Sequence, residues 1–339
     1  KFGHDLTARL EAAVVDGEFS FDKEKLGRVS EDKTAAERYK EIALGMGGKE
    51  LPLQGLKVVL DCANGCFSKI MPEVFAKLGA DVTALSCMPD GTNINRDCGS
   101  QHIDAMTAKV RDCGAMLGIA ADGDGDRIII CDEKGNRVDG DQIIAFLGKY
   151  YKEHNRLKAD TVVATIVSNP ALDRFLEGIG VKCVRSAVGE RYVIEEMKKC
   201  GSNIGGEESG HMVVADYAKT GDTMMAALVI AMGLLQSGKK MSEIFPLFTS
   251  MTRKRIDSKF CGKDEMLAAF ELAAFQAEIK QGEADIAGKG RILVRKSGTE
   301  PKIQVWVWGD DVPLATAVSN RIASVLEKAD GFESRKEVL

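Results

Sequence analysis

Short apolar runs and amphipathic stretches alternate along this chain, and their order predicts βαβ units. The first unit begins with a strand over Leu56–Asp61, which a turn at Ala63–Gly65 separates from a helix over Phe67–Leu78. Gly79 ends that helix, and Ala80–Leu85 is a second strand. Strand–helix–strand order of this kind favours a mainly parallel sheet that is covered by helices.

Similar elements follow this unit, and further along the chain the same order begins again. The further elements predicted are a helix over His102–Arg111, strands over Ala115–Ala120 and Ile128–Cys131, then a strand over Thr161–Val167, a turn at Asn169–Pro170, a helix over Ala171–Ile179, a strand over Val181–Val184 and a helix over Glu190–Lys199. The separation between the two units is much longer than the repeat of a solenoid, so the pattern indicates duplicated domains.

The rest of the chain carries a different pattern. Helices are predicted over Leu6–Val15, Ala35–Met46, Thr223–Gln236, Lys263–Lys280 and Val312–Lys328, and strands over Arg291–Arg295 and Ile303–Trp308. Because the last of these elements lack the βαβ order, they favour a small α+β domain. The predicted fold class is α/β and multi-domain, with related βαβ units, mixed sheets and a small C-terminal α+β domain. The predicted bounds are 1–52 for the remainder of a first α/β domain, 53–149 and 150–254 for two further α/β domains, and 255–339 for the C-terminal domain.

The composition narrows the classes of function. The 339 residues carry a formal net charge of −5 and only 6% aromatic residues, so a nucleic-acid-binding surface is not expected. The longest apolar stretch, Met224–Leu235, is shorter than the ~20 residues that a membrane-spanning helix needs. Nine cysteines without a C-x-x-C pair argue against a disulfide framework and favour a reducing, cytoplasmic location.

The most unusual polar segment is Asp122-Gly-Asp124-Gly-Asp126-Arg127, which follows a predicted buried strand. Three carboxylates separated only by glycines repel one another unless a cation neutralises them, and oxygen ligands suit Mg²⁺. An EF-hand fails here because Arg127 occupies the glycine position of that loop, although Glu133 stands at its twelfth position. A phosphatase with the first aspartate as nucleophile and a solvated acidic hairpin without metal are the alternatives left open.

Two further polar loops carry groups suited to a phosphorylated sugar. In Gly205–His211, the side chains of Glu207, Ser209 and His211 offer acceptors and donors for hydroxyl groups, although a structural polar turn has the same composition. In Arg295–Pro301, a guanidinium, a lysine and two hydroxyls around a glycine turn suit a phosphate group, with a basic hairpin turn as the alternative.

These three loops, in this order, resemble those of the α-D-phosphohexomutase superfamily. Asp122–Arg127 resembles its metal loop, Gly206–His211 its sugar-binding loop and Arg295–Pro301 its phosphate-binding loop. Other segments narrow the resemblance to the phosphoglucosamine mutase branch, namely Asp61–Gly65, Gly91–Asn95 with Cys98–Ser100, and Val188–Tyr192. The resemblance covers nearly the whole chain.

The resemblance implies four domains around a cleft and the interconversion of glucosamine 6-phosphate and glucosamine 1-phosphate. A phosphoserine would donate its phosphoryl group to the sugar and so form a hexose bisphosphate, which turns around and returns the other phosphate. The implied residue roles are Mg²⁺ ligation by Asp122, Asp124 and Asp126, contact with the transferring phosphoryl group by Arg127, sugar binding by Glu207, Ser209 and His211, and phosphate binding by Arg295, Ser297, Gly298 and Thr299. The implied partners are a phosphorylated hexosamine, a hexose bisphosphate and a second copy of the chain in a homodimer, with neither nucleic acid nor membrane among them.

Two departures from the family pattern leave alternatives open. The family's phosphoserine loop, of Ser-His-Asn-Pro type, has no counterpart in this sequence, so the serine is expected upstream of Lys1 and this chain alone is expected to be inactive. Gln304 stands where the family often has a phosphate-binding arginine, and Lys302 on the same strand face is expected to supply the charge. The alternatives are a phosphomannomutase or phosphoglucomutase, and a non-catalytic fragment that binds a phosphosugar and Mg²⁺.

Overall fold

The computed structural model describes residues 4–17, 27–46, 52–297 and 300–338. The helices of these ranges are α1 (His4–Asp16), α2 (Ala35–Gly45), α3 (Ile70–Lys77), α4 (Asp104–Cys113), α5 (Gly140–Glu153), α6 (Pro170–Gly178), α7 (Glu190–Cys200), α8 (Thr223–Ser237), α9 (Met241–Ile244), α10 (Lys263–Phe270), α11 (Ala273–Asp285) and α12 (Val312–Leu326). The strands are β1 (Lys57–Asp61), β2 (Asp81–Leu85), β3 (Leu117–Ala121), β4 (Ile128–Asp132), β5 (Arg137–Val138), β6 (Thr161–Thr165), β7 (Lys182–Ser186), β8 (Ile204–Gly206), β9 (Met212–Val214), β10 (Thr252–Phe260), β11 (Gly290–Lys296), β12 (Lys302–Gly309) and β13 (Phe332–Val338).

The chain divides into two compact units. Unit 1 comprises Lys1–Gly135 and Val213–Gly238, and unit 2 comprises Asn136–Met212 and Lys239–Leu339. Among the described helices of both units, none has the length and apolar character to span a membrane.

Unit 1 is built on a mixed sheet. β1 pairs in parallel with β2 and with β3, and β3 pairs antiparallel with β4. Helix α4 packs on β1 and β3 through a core that includes Val59, Met106, Val110 and Ala120, and α8 packs on β3 and β4. Because β1 and β3 run in the same direction, the segments that follow Asp61 and Ala121 leave the sheet at the same edge.

Unit 2 contains one sheet in which β6, β7 and β8 run parallel and a second sheet that is antiparallel. β6 pairs in parallel with β7 and β8, and β10 and β11 both pair antiparallel with β12, while β13 covers the other edge of β10. One face of the antiparallel sheet packs on α11 and α12 around Phe260, Val305 and Ile322. The two layouts confirm the predicted fold class of related α/β units with a C-terminal α+β part.

Some predicted elements are wrong in their bounds. The single helix over Lys263–Lys280 is two helices, because the chain turns at Leu272 and the Gln276 side chain donates a 2.6 Å hydrogen bond to the Phe270 carbonyl. The helix expected from Phe67 begins only at Ile70, since residues 65–68 form a turn that the Ser68 hydroxyl closes on the Gly65 carbonyl at 2.8 Å. Asn64, with a φ of 50°, belongs to the turn predicted at Ala63–Gly65.

Candidate active site

The metal loop, residues 122–127, joins the antiparallel strands β3 and β4. Carboxylate oxygens of Asp122, Asp124 and Asp126 lie within 4.8 Å of one another, and no other group of three potential metal ligands is this close within the described ranges. Asp122 is buried, Asp126 half-buried and Asp124 exposed. This set of oxygen donors, closed on one side and open to water on the other, fits a hard divalent cation that keeps part of its hydration shell.

Asp122 is the best-held member of this trio. Its Oδ1 accepts hydrogen bonds of 3.1 Å from the backbone N–H groups of Gly125, Asp126 and Arg127, and its Oδ2 accepts one of 2.6 Å from Arg127 Nε. Burial alone would raise the pKa of Asp122, but the hydrogen bonds and the charge of Arg127 outweigh it and hold the pKa below its ordinary value. Arg127 is anchored by this contact while its side chain stays 30% exposed, so the guanidinium can also meet an anion.

The start of α8 braces the metal loop from within unit 1. Thr223 donates hydrogen bonds from its backbone N–H to the Gly125 carbonyl at 3.0 Å and from its hydroxyl to the Arg127 carbonyl at 2.8 Å. The Asp222 side chain caps α8 by accepting the Met225 backbone N–H at 3.1 Å, and it also accepts the Tyr39 hydroxyl at 2.8 Å. Sequence reasoning missed Thr223 as a support of the loop and Tyr39 altogether, because both lie far from it along the chain.

The turn after β1 also contacts the metal loop. The buried Asp61 carboxylate accepts the Gly99 backbone N–H at 3.0 Å, and the Cys66 backbone N–H donates to the Gly123 carbonyl at 2.9 Å. A Cβ on Gly65 would lie 2.2 Å from the Gly123 carbonyl oxygen, so only glycine fits between the two segments. The Asp61–Gly65 segment thus has a structural role beside the metal loop.

The sugar-binding loop brings together its three predicted side chains. Buried Glu207 accepts the Gly189 backbone N–H at 2.9 Å through Oε1, and its Oε2 lies 3.0 Å from His211 Nδ1. The Ser209 hydroxyl lies 3.1 Å from the same His211 nitrogen. Gly189 has a φ of 124°, a conformation that favours glycine, and it presents its N–H to the loop.

Two neighbours fix the backbone and the outer charge of this loop. The Gly140 N–H at the start of α5 donates to the Glu208 carbonyl at 3.3 Å, and a Cβ on Gly140 would lie 2.3 Å from the Glu207 carbonyl oxygen. From β10, Arg253 Nη1 lies 2.6 and 2.8 Å from the two Glu208 carboxylate oxygens, and its guanidinium lies 5.1 Å from the Trp306 ring centre. The loop is therefore held by groups that its own sequence does not reveal.

The phosphate-binding loop connects β11 and β12. Arg295 stands opposite Gln304 in the strand register, and the Ser297 backbone N–H donates to the Lys302 carbonyl at 2.9 Å. The Ser297 hydroxyl accepts the Glu300 backbone N–H at 3.3 Å. Gly298 and Thr299, also expected to bind phosphate, lie outside the described residues.

Lys302 stands beside Gln304 on this sheet, since both contact one carboxylate. Lys302 Nζ lies 3.3 Å from Asp257 Oδ2, to which the Gln304 amide also donates at 3.4 Å. Lys302 Nζ also lies 2.6 Å from Glu300. The cation expected to replace the missing arginine is present, with two acidic neighbours that compete for it.

Asp141, next to the glycine that touches the sugar-binding loop, is a buried acid that sequence reasoning did not single out. It is 2% exposed, and its Oδ2 accepts the Asn169 backbone N–H at 2.7 Å. Burial raises the pKa of Asp141 to about 7, and the negative charge of Glu208 acts in the same direction. The carboxyl group is therefore half-protonated near neutral pH.

The stability of unit 2 is expected to fall as the pH rises from about 4 to 7. The unfolded chain releases the Asp141 proton near the ordinary pKa of 3.8, whereas the folded chain keeps it up to a pKa of about 7. Ionisation of this group therefore lowers the free energy of unfolding by ~4 kcal/mol above pH 7. Asp141→Asn, which cannot titrate, should remove this slope. Urea unfolding followed by the fluorescence of Trp306 and Trp308 measures it, and Asp264→Asn, at an exposed position, should keep it. A slope unchanged in Asp141→Asn would contradict the assignment.

Family models match three parts of the chain. They are described as phosphoglucomutase/phosphomannomutase alpha/beta/alpha domain II over residues 39–135, alpha/beta/alpha domain III over residues 139–251 and the C-terminal domain over residues 258–325. A phosphoglucosamine mutase of Paramagnetospirillum magneticum is 43% identical over 95% of this chain and 72% of its own length. The chain belongs to the phosphoglucosamine mutase family. It is thereby placed among isomerases that transfer a phosphoryl group.

Other relatives in the family agree with this assignment. Phosphoglucosamine mutases of Jannaschia sp. and Rhodospirillum centenum are 41% and 44% identical over 97% and 90% of this chain. The chain spans 73% of the first relative's length and 64% of the second's.

Solved structures show the same fold. A phosphoglucomutase/phosphomannomutase family protein of Burkholderia thailandensis matches 98% of this chain and 72% of its own chain, with a TM-score of 0.76 and 18% identity. Aspergillus fumigatus N-acetylphosphoglucosamine mutase, solved in complex with GlcNAc-6P and magnesium, matches 95% of this chain and 74% of its own, with a TM-score of 0.67 and 18% identity. At these identities the likeness concerns the fold.

Proposed function

We propose that this chain is the larger part of a phosphoglucosamine mutase that interconverts glucosamine 6-phosphate and glucosamine 1-phosphate. The observation that supports this most directly is the acidic trio of the metal loop with Arg127 fixed against it, in a chain of this family. The phosphoserine that starts the reaction is proposed to lie in residues that precede this sequence. The domain bounds given above, a cytoplasmic location and a homodimer stay predictions.

Asp122, Asp124 and Asp126 are the residues proposed to hold Mg²⁺. When bound, the ion neutralises negative charge on the phosphoryl group that passes between serine and sugar. The magnesium complex of the Aspergillus fumigatus relative supports this choice of metal. Because Asp122 keeps its charge through hydrogen bonds to the loop backbone, it is proposed as the ligand that sets the position of the site.

The remaining site residues orient the substrate and balance its charge. Arg127, anchored through Nε, presents its guanidinium to the phosphoryl group in transfer. A fixed positive charge at this place stabilises the negative charge of the transition state. Glu207, Ser209 and His211 bind sugar hydroxyls, and Arg295, Ser297, Gly298 and Thr299 bind the phosphate that does not react. In each half-reaction a sugar oxygen or the serine oxygen attacks phosphorus as the bond to the other oxygen breaks. The bisphosphate must turn around between the two steps.

A second candidate is the same chemistry on glucose or mannose phosphates. The matching family models are named for phosphoglucomutase and phosphomannomutase, and these names support the second candidate. The third candidate, a non-catalytic fragment that binds a phosphosugar and Mg²⁺, differs in lacking a nucleophile.

The test uses the product of the complete reading frame that contains this chain. With Mg²⁺ and a trace of hexose 1,6-bisphosphate, glucosamine 6-phosphate is expected to give glucosamine 1-phosphate, with a higher kcat/KM than glucose or mannose phosphate gives. A higher kcat/KM on either hexose would support the second candidate. No turnover of any of the three, with binding retained, would support the third. Phosphopeptide mapping of the purified protein is expected to find phosphate on a serine upstream of Lys1.

Lys302→Ala is expected to weaken glucosamine 6-phosphate binding about fivefold. This corresponds to roughly 1 kcal/mol of binding free energy, the usual contribution of a partly exposed charge. The variant also leaves Asp257 and Glu300 without this cation, which adds repulsion toward phosphate. Isothermal titration calorimetry measures the affinity. Lys259→Ala removes a neighbouring lysine that pairs with Glu333 at 3.1 Å and should leave the affinity unchanged. Equal affinities for the wild type and Lys302→Ala would exclude this role.

A further inference from the structure

Two cysteines of unit 1 meet where neighbouring strands end. Cys62 follows β1 and Cys87 lies two residues after β2, and the strands pair in parallel with Asp61 opposite Leu85. The Leu85 carbonyl accepts the Cys62 backbone N–H at 3.1 Å and the Cys87 thiol, also at 3.1 Å. The Cys62 backbone N–H and the Cys87 thiol thus meet at one carbonyl group, which brings the two cysteines together at the strand ends.

The two thiols differ in access and in charge. Cys62 is fully buried, while Cys87 is half-buried and open to small solutes. The hydrogen bond from the Cys62 thiol lowers the pKa of Cys87, against partial burial and the charge of Asp61. The same contact, together with burial, raises the pKa of Cys62. Because Cys87 is the more accessible thiol and its pKa is lowered, it is the nucleophile of the pair, and the buried Cys62 is its protonated neighbour.

We propose that Cys87 and Cys62 form an oxidative modification site, at which hydrogen peroxide oxidises Cys87 and Cys62 then closes a disulfide with it. This assignment does not depend on the proposed function, because it uses no substrate and no metal.

The chemistry balances with peroxide as the only oxidant. The Cys87 thiolate attacks one peroxide oxygen, so that an S–O bond forms, the O–O bond breaks and hydroxide leaves, which gives a sulfenic acid. The Cys62 sulfur then attacks the Cys87 sulfur, an S–S bond forms and the S–O bond breaks. The departing hydroxide takes the Cys62 proton and leaves as water. In total, two thiols lose two electrons and one peroxide becomes two waters.

The proposed disulfide would tie the two strand ends beside the metal loop. Cys62 begins the turn whose Cys66 N–H holds the Gly123 carbonyl, and the Asn64 N–H of the same turn donates to the Ser86 carbonyl at 2.6 Å. Two other thiols lie near Cys62, namely Cys66 in the same turn and the buried Cys98, whose sulfur lies 3.9 Å from the Asn64 amide nitrogen. These are the main competitors of Cys62 as the second thiol.

Peptide mapping of the native chain tests the proposal. The reduced protein is treated with hydrogen peroxide, its remaining thiols are alkylated, and it is digested with trypsin without reduction. A cross-link between peptides Val58–Lys69, alkylated at Cys66, and Leu78–Arg96 is expected, lighter than the sum of these two peptides by two hydrogen atoms. Fragmentation should place the bond at Cys62 and not at Cys66, which shares the first peptide.

Variants separate the two steps. Cys62→Ala should abolish the cross-link and leave a sulfenic acid at Cys87 that dimedone labels, whereas Cys87→Ala should abolish both. Cys98→Ala and Cys261→Ala, the second at an exposed position in unit 2, should form the cross-link as the wild type does. A bond through Cys66 or Cys98, a cross-link only between two chains, or no dimedone label on Cys87 in Cys62→Ala would overturn the proposal. The wild-type map decides the pairing even if a variant fails to fold.

Discussion

Asp122→Asn is expected to weaken divalent-metal binding strongly and to destabilise unit 1 by about 2–3 kcal/mol. The asparagine keeps one oxygen for the backbone N–H groups of the loop, but it loses the charge that pairs with Arg127 at 2.6 Å. Removing the buried Asp122 charge leaves the partly exposed Arg127 guanidinium without its counter-charge, which is the larger part of this cost. With one of three charged ligands gone, metal affinity should fall about 100-fold or more.

Asp124→Asn is the matched control, because Asp124 belongs to the same trio but is exposed. It should lower the metal affinity similarly while changing the free energy of unfolding by no more than about 0.5 kcal/mol. Titration with Mg²⁺ or Mn²⁺ measures the first effect. Hydrogen exchange of β1 and β3 amides measures the second, since both tryptophans lie in unit 2. If both variants bound the metal with wild-type affinity, the loop could not be the metal site.

Local causes explain the parts of the fold that could be predicted. β1, β3 and β6 are covered on both faces, and strands of that kind are marked by continuous apolar runs. Asp222 caps α8 and Gly238 ends it, so its bounds follow from residues at its own ends. The acidic trio could also be predicted from the sequence, because its three members share one short loop and must lie close together.

Elements whose signals are not local were missed or misplaced. The first turn of helix α5 contains Asp141 and Gln142, which are polar yet buried, so no apolar periodicity marks it. The break between α10 and α11 at Leu272 carries no glycine or proline. β13 is a mostly exposed strand rich in charge, and it is held by pairing with β10 rather than by an apolar pattern.

The supports of the candidate site were the least predictable part. Tyr39 and Asp222 are 183 positions apart, and Glu208 and Arg253 are 45 apart, so only folding brings either pair together. Sequence motifs identify the residues that contact a ligand, whereas the residues that hold them in place lie on other helices, strands or loops. Gly65 is such a residue, and it touches no ligand.

Gly65→Ala is expected to destabilise unit 1 by about 3 kcal/mol and to weaken metal binding although no ligand changes. The added Cβ would lie 2.2 Å from the Gly123 carbonyl oxygen and 2.6 Å from the Gly123 Cα. Both contacts are with backbone, so no side chain can rotate away and one of the two segments must move. The movement would break the 2.9 Å hydrogen bond from Cys66 to Gly123 and shift the loop between Asp122 and Asp124.

Gly45→Ala provides the matched control for this substitution. Gly45 lies in α2, also in unit 1, and an added Cβ there meets nothing within 4 Å. Alanine should stabilise that helix by about 0.5–1 kcal/mol and leave metal affinity as it is. Hydrogen exchange should therefore show lower stability in Gly65→Ala and higher stability in Gly45→Ala. Titration with Mn²⁺ should show weaker binding in Gly65→Ala only. If Gly65→Ala matched the wild type in both measurements, the close approach of the turn to Gly123 could not be what holds the metal loop in place.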